Sequence, residues 1–207
     1  MLAAAKAMDR AGLTEGTAGN LSARAATGEI VLTPTAMRYA EMDEDDLVVT
    51  DVGGRALAGH RAPTTEIELH LACLRRFPEI GAVVHSHPIH ASMFAACDRP
   101  IPCVVEEVEL YVGGDVPVAA YHATGTPELG AAVAELLHDR AAALLSHHGL
   151  VVVARSPGEA LELTKLVERT ARIAAGAERI GTPKPLPEAA REAFRQAYRA
   201  RRQRAGS

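Results

Sequence analysis

The stretch Gly81-Ala82-Val83-Val84-His85-Ser86-His87-Pro88 joins a short apolar run to two histidines that stand two residues apart. The run is partly β-branched and is bounded by Gly and Pro, so it predicts a buried strand that ends at Pro88. Side chains at positions i and i+2 of a strand point to the same face. Both imidazoles can therefore reach one ion at the end of this strand.

His148 has a similar setting, because a strand-like run over residues 143–146 precedes it and Gly149 permits a tight turn after it. The chain has 9 histidines in 207 residues, so a close pair alone is more often hydrogen-bonded or solvated than metal-bound. The three histidines together with an upstream carboxylate are stronger evidence for a metal site than the pair alone. Each histidine follows a predicted buried strand, and the carboxylate lies at a predicted helix start. His85, His87 and His148 are therefore candidate ligands of one divalent metal.

The carboxylate is that of Glu66, at the start of a helix predicted over residues 65–77. Thr65 and Glu68 form a Thr-x-x-Glu pattern typical of a capping box, which places Glu66 at the first helical position. The helix dipole favours an acid there, so a surface role is one interpretation. The hydroxyls of Thr64 and Thr65 beside free backbone N–H groups indicate an anion site, next to which Glu66 could transfer a proton.

Two further segments are weaker candidates for anion binding. Residues 16–20 read Gly-Thr-Ala-Gly-Asn, a loop whose glycines allow backbone N–H groups to converge and whose Asn20 amide adds a donor. Residues 33–35 read Thr-Pro-Thr, a polar turn. Each pattern by itself is more often only a turn.

Composition limits the class of protein. A chain of 207 residues with 48% hydrophobic side chains predicts one domain, over residues 1–207, with a full-sized core. The net charge of −4, and 3% aromatic residues without Trp, argue against nucleic-acid and membrane partners. The three cysteines are unpatterned, and charged residues from Lys6 onward interrupt any signal-peptide core, so a cytoplasmic location is expected.

Strand and helix patterns alternate irregularly along the chain. Strands are predicted over residues 21–23, 30–33, 47–50, 82–85, 116–120, 142–145 and 150–153, and helices over 2–11, 65–77, 89–96, 127–137, 157–175 and 188–202. Several neighbouring strands are joined by hairpin turn signals, and βαβ periodicity is poor. We therefore expect an α/β fold of three layers, α/β/α, with a central mixed, largely antiparallel sheet and a C-terminal helix and tail at about 187–207.

Five segments together resemble the class II aldolase/adducin family, and most closely its L-fuculose-1-phosphate aldolases. They occur in the family's order and at similar spacings, and the resemblance covers nearly the whole chain. The segments are GTAGNLS at residues 16–22, LTPT at 32–35, PTTE at 63–66, HSHPIH at 85–90 and HHGL at 147–150.

The resemblance implies a role for each matching residue. His85, His87 and His148 match the family's three zinc ligands, and Glu66 matches its catalytic carboxylate. The positions that match phosphate contacts are Asn20, Thr35, Thr64 and Thr65. Ala36 stands where the family has Gly, and its methyl group restricts backbone approach there.

Two tyrosines of the family reach an active site from a neighbouring subunit. Tyr198 matches the one in the C-terminal tail and is a candidate catalytic residue. The other falls near Glu106 and Glu107, where no tyrosine stands, and Tyr111 lies four or five positions away. This departure leaves open the proton donor to the leaving aldehyde and the choice of substrate.

The resemblance implies an aldolase with one zinc ion per chain, other divalent metals being an alternative. Its substrate would be L-fuculose-1-phosphate or a related 5-deoxypentulose-1-phosphate, cleaved through a metal-stabilised enediolate to dihydroxyacetone phosphate and a small aldehyde. The family's sugar-phosphate epimerases, dehydratases and decarboxylases are alternatives, as is a non-enzymatic adducin-like module. A homotetramer with active sites at subunit interfaces is also implied, and the basic end of the chain is interpreted as a solvated helix end.

Overall fold

A computed structural model describes residues 1–204 of the chain. Its strands are short, and the central ones are almost wholly buried and rich in Ala, Val and Leu, as strands covered on both faces require. They are β1 (Asn20–Arg24), β2 (Ile30–Leu32), β3 (Val48–Thr50), β4 (Ala56–Ala58), β5 (Ala82–Ser86), β6 (Val118–Ala119), β7 (Ala142–Leu145) and β8 (Gly149–Ala154).

Within residues 1–204 these strands form one sheet in the order β4-β3-β2-β1-β5-β8-β7-β6. The pairs are antiparallel except β6 with β7, which is parallel. Strand β5 lies in the middle, with β1 on one side and β8 on the other. The expectation of a mixed, largely antiparallel sheet is confirmed.

Helices cover both faces of the sheet. They are α1 (Leu2–Arg10), α2 (Ile67–Arg76), α3 (Ile89–Ala96), α4 (Glu106–Tyr111), α5 (Pro127–Leu136), α6 (Pro157–Ile180) and α7 (Glu188–Arg204). Helices α1, α3 and α6 pack over one hydrophobic core, and α2 and α5 pack over a second. The predicted three-layer α/β/α architecture is therefore confirmed.

Strand β5 shows how the sheet separates the two cores. Ala82 and Val84 belong to the core under α6, whereas Val83 belongs to the core under α2. Because side chains alternate along a strand, His85 follows Val83 onto the α2 side. This alternation directs His85 towards the start of α2, where Glu66 lies.

The start of helix α2 and the end of helix α6 differ from the sequence prediction. Helix α2 begins at Ile67 with Glu66 at the N-cap, so the predicted capping box at Thr65 is wrong. Instead, the backbone N–H of Glu66 donates to the hydroxyl of Thr64 at 3.2 Å. Helix α6 runs to Ile180, past the predicted end at 175; its last buried residue is Ala174, and beyond it Glu178 pairs with Arg99 at 2.6 Å.

Helix α4 was not predicted, since six residues with three glutamates show no helical apolar period. The C-terminal helix α7 packs against it. The buried carboxylate of Glu109 on α4 joins the two helices through ion pairs with Arg191 and Arg195. The last residues of the predicted tail, 205–207, lie outside the described part of the chain.

A membrane-spanning helix is not found among the helices of residues 1–204, since none combines the necessary length with the necessary apolar character.

Candidate metal centre and active site

Three imidazoles converge where β5 ends beside the turn between β7 and β8. The ring centroids of His85, His87 and His148 lie 4.7 to 5.0 Å apart. One nitrogen of each ring lies within 4.8 Å of the corresponding nitrogens of the other two. The strand end and the turn thus bring together the three histidines that the sequence separated by up to 63 positions.

The orientation of His85 is set by its second nitrogen. Its Nδ1 lies 3.1 Å from the carbonyl oxygen of Leu150, which can only accept, so Nδ1 carries the donated hydrogen. Its Nε2 then faces Glu66 Oε2 at 3.1 Å and His87 Nε2 at 2.9 Å. Electron-rich atoms this close together need a cation or a proton among them, so the donor set fits a divalent metal.

The protonation of the other two rings agrees with this fit. Burial, reinforced by positive charge at neighbouring histidines, lowers the pKa of His87 to about 4. Burial and the charge of His85 also lower the pKa of His148. Both rings are neutral at neutral pH, which is the form that binds a metal.

Glu66 lies at the N-cap of α2, and only 5% of its surface is exposed. Burial alone would raise its pKa, but positive charge at His85 and hydrogen bonds from His85 and Asn20 outweigh that effect and hold the pKa below its usual value. Its Oε1 is buried, has no hydrogen-bond donor within residues 1–204, and lies 3.9 Å from His148 Nε2. The carboxylate is therefore ionised and has one oxygen available beside the three imidazoles.

The candidate anion-binding residues lie on adjacent backbone segments. The N–H of Thr33 donates to Leu21 O at 3.0 Å, and the N–H of Thr64 donates to Thr33 O at 3.1 Å. Thr35 bonds in the same way to the segment before Thr64, through Ala62 O at 3.1 Å. The chain thus places Thr35, and Thr64 with its neighbour Thr65, beside the start of β1, where Asn20 lies.

Ala36 adopts a left-handed backbone conformation, with φ of 54°. Glycine adopts that conformation without strain, whereas an L-residue with a Cβ does not. Ala36 is therefore a strained residue next to the candidate phosphate contact Thr35.

Tyr198 lies elsewhere in its own chain. The residue is 6% exposed and belongs to the core under α6, and its hydroxyl accepts from Arg202 at 3.3 Å. Packed in this way it anchors α7 to the body of the protein, and a catalytic role would require it to leave this position. That role stays a prediction. Tyr111 is partly exposed under the guanidinium of Arg201, which lies 4.5 Å from the ring centroid.

The remaining histidines of the two motifs lie outside the cluster. His90 Nδ1 lies 2.7 Å from Glu168 Oε1, which ties the start of α3 to α6. His147 is exposed and lies 3.8 Å from Asp98. A cleft beside His148 is lined by Tyr121, among other residues.

Sequence reasoning missed two buried residues behind Glu66. His70 bonds to Asn20 and to Ser22, and both His70 and Ser22 are fully buried. A signal was present, because Glu66 and His70 are four residues apart on one helix and Asn20 and Ser22 are two apart on one strand.

Comparison with known proteins agrees with this geometry. The family model for the Class II Aldolase and Adducin N-terminal domain matches residues 1–175. The chain is 36% identical to L-fuculose phosphate aldolase of Escherichia coli O6:H1 over 179 residues, covering 86% of this chain and 82% of the relative. It is 35% identical to the 5-methylthioribulose-1-phosphate/5-deoxyribulose-1-phosphate aldolase of Rhodospirillum rubrum over 187 residues, covering 90% and 84%.

A solved structure of an L-fuculose 1-phosphate aldolase superposes with a TM-score of 0.91 at 31% identity, covering 96% of this chain and 93% of the other. The chain therefore belongs to the class II aldolase and adducin family. Within that family its relatives make it an aldolase, that is, a lyase of a class that depends on a metal ion.

Proposed function

We propose that the protein is a zinc-dependent aldolase that cleaves a phosphorylated ketose to dihydroxyacetone phosphate and a small aldehyde. The substrate is L-fuculose-1-phosphate or a related 5-deoxypentulose-1-phosphate; the names of its relatives give L-fuculose phosphate, 5-methylthioribulose-1-phosphate and 5-deoxyribulose-1-phosphate. The observation that carries the proposal is the convergence of three imidazoles on a buried, ionised carboxylate.

His85, His87 and His148 would hold the zinc ion through one nitrogen each. Three protein ligands leave coordination positions open, as a catalytic site requires. Bound zinc supplies a Lewis acid that polarises the carbonyl and hydroxyl oxygens of the substrate. The hydrogen bond from His85 Nδ1 to Leu150 fixes the ring so that Nε2 points into the site.

Glu66 would act on the proton that the reaction moves. Cleavage of the carbon–carbon bond leaves an electron pair on the dihydroxyacetone phosphate half, and that carbon must gain a proton before the product leaves. Glu66 Oε1 is the buried oxygen without a hydrogen-bond donor within the described residues. This oxygen is suited to carry the proton to that carbon, and to remove it in the reverse direction.

Asn20, Thr35, Thr64 and Thr65 would hold the phosphate. They offer one amide and three hydroxyls on adjacent segments, in the neighbourhood of the N-cap of α2. Donors at a helix start favour a phosphate group. Holding the phosphate fixes the distance of the reacting carbons from Glu66 and from the histidines.

The test combines metal analysis with an activity assay on the same purified protein. About one zinc per chain, and release of dihydroxyacetone phosphate that stops on chelation and returns with zinc, is the expected result. L-fuculose-1-phosphate and 5-deoxyribulose-1-phosphate are assayed side by side, and the larger kcat/KM identifies the preferred ketose. Bound zinc without cleavage of either would refute the substrate class and favour an epimerase, dehydratase or decarboxylase.

The assembly and location of the protein form part of the same proposal. A single domain, a homotetramer with shared active sites and a cytoplasmic location stay predictions from the sequence. Light scattering of the purified protein would test the tetramer, and a mass of one or two chains would contradict it.

A further inference from the structure

A chain of buried hydrogen bonds lies directly behind Glu66. Asn20 Nδ2 donates to Glu66 Oε2 at 2.8 Å. Asn20 Oδ1 lies 2.5 Å from His70 Nε2, and His70 Nδ1 lies 2.8 Å from Ser22 Oγ. None of the four residues is more than 6% exposed, so solvent does not compete for these bonds.

The direction of every hydrogen in this chain follows from the Asn20 amide. The atom of Asn20 that faces Glu66 Oε2, at 2.8 Å, is the amide nitrogen, which donates. The amide oxygen then faces His70, and since it only accepts, His70 Nε2 must carry a hydrogen. His70 is neutral, because burial lowers its pKa to about 3, so its Nδ1 accepts from the hydroxyl of Ser22.

The fold creates this arrangement from two simple periodicities. Asn20 and Ser22 point to the same face of β1, and Asn20 pairs in register with His85 across to β5. Glu66 and His70 lie one turn apart at the start of α2, which packs on that face of the sheet. The helix therefore sets His70 over the strand at the height of the Asn20 amide.

The orientation of Asn20 matters for the reaction. Its amide nitrogen has two hydrogens, and within residues 1–204 only Glu66 receives one of them. The second hydrogen remains for a substrate oxygen. If the amide rotated by half a turn, its oxygen would face the Glu66 carboxylate, and both donors would be lost to the site.

We propose that His70, held in its Nε2–H form by Ser22, is a positioning residue that fixes the Asn20 amide and through it the Glu66 carboxylate. This inference rests on the proposed role of Glu66 in proton transfer. The competing interpretation is that His70 is only a satisfied polar residue of the core. The two interpretations differ in whether the donor at the position of Nε2 affects turnover or only stability.

Two substitutions at His70 separate these interpretations, because each keeps one half of the imidazole. In His70→Gln the amide nitrogen can occupy the position of Nε2 and still donate to Asn20. In His70→Asn the shorter side chain can reach Ser22 but not Asn20. Both variants put an uncharged amide in the same buried place, so they are matched for polarity.

The variants are compared as zinc-loaded enzymes, with kcat expressed per bound zinc. We expect kcat of His70→Asn to fall by about 10–100-fold, as when groups that orient active-site ligands are removed, with zinc content unchanged. We expect His70→Gln to stay within about threefold of wild type. Equal losses in both variants, or a lower melting temperature in both with unchanged kcat, would overturn the proposal.

A spectroscopic measurement tests the hydrogen-bond chain without activity. In zinc-loaded protein labelled with ¹⁵N-histidine, the His70 signals are identified by their loss in His70→Asn. A protonated Nε2 and an unprotonated Nδ1 at neutral pH are expected, and the opposite tautomer would overturn the proposal. If the wild-type protein cleaves neither phosphorylated ketose, the proposed function is wrong. The tautomer of His70 would still decide, independently of activity, whether the chain of hydrogen bonds exists.

Discussion

Gly149 is the residue at which a single methyl group should disturb the candidate metal centre most directly. A Cβ added there would lie 2.5 Å from the carbonyl oxygen of Ser86, 2.7 Å from His87 Cδ2 and 3.3 Å from His85 Cε1. Real Cβ atoms stay at least 3.0 Å from such neighbours. The end of β5 must therefore withdraw from the start of β8 by about 0.5 Å, which is 3.0 minus 2.5.

This displacement falls on the segment that carries His85 and His87. Overpacking of this kind costs about 1–3 kcal/mol of stability. Metal ligands must be held within about 0.5 Å of their working positions, so a shift of that size also weakens zinc binding. We expect Gly149→Ala to lower zinc affinity by about 10–100-fold, similar to the loss of a group that orients a ligand.

The assay is competition for zinc against a chelating dye, with thermal unfolding of the metal-free protein measured in parallel. Gly176→Ala is the matched control, because Gly176 is exposed within α6 and a Cβ there meets no atom within 4 Å. The control should gain about 0.5–1 kcal/mol of stability and keep its zinc affinity. If Gly149→Ala binds zinc as wild type does and unfolds at the same temperature, the close-packing argument is refuted.

Three further predictions concern individual site residues. His148→Ala removes one of the three ligands, so it should lower zinc affinity by more than the roughly 10–100-fold caused by replacing a residue that only orients a ligand. Metal analysis after gel filtration would show the loss, and stoichiometric zinc in the variant would contradict the prediction. Glu66→Gln should keep zinc but lose about 10²–10⁴-fold in kcat, because the amide cannot transfer the proton, and an unchanged kcat would exclude Glu66 from that role. Ala36→Gly should raise stability in denaturant by up to about 1 kcal/mol, since relief of left-handed strain exceeds the added chain entropy of glycine; a lower stability would show that Ala36 is not strained.

Local patterns in the sequence were sufficient for most of the fold. The buried run before His85 is apolar on both faces, so it could be recognised as a central strand without knowing its neighbours. Hairpin signals between neighbouring strands correctly predicted antiparallel pairing. Helix α4 was missed because its six residues are held by packing and by the ion pairs of Glu109 with α7, which leave no local signature.

The candidate site depended on the sequence and on tertiary structure in different ways. The shared direction of His85 and His87 was predictable, because the two-residue period of a strand alone places both side chains on one face. The inward position of Glu66 was not, since the Thr65 pattern favoured an exposed first turn and only the packing of α2 on the sheet turns the carboxylate inside.

The sequence by itself therefore determined which residues could bind a metal and which strand presents two of them. Only the tertiary structure decided that His148, Glu66 and Asn20 meet them, and that His70 lies behind Asn20. The physical reason is that periodicity acts over a few residues, whereas these contacts join β1, α2, β5 and the β7–β8 turn. Their distances depend on sheet order and helix packing, which no local pattern encodes.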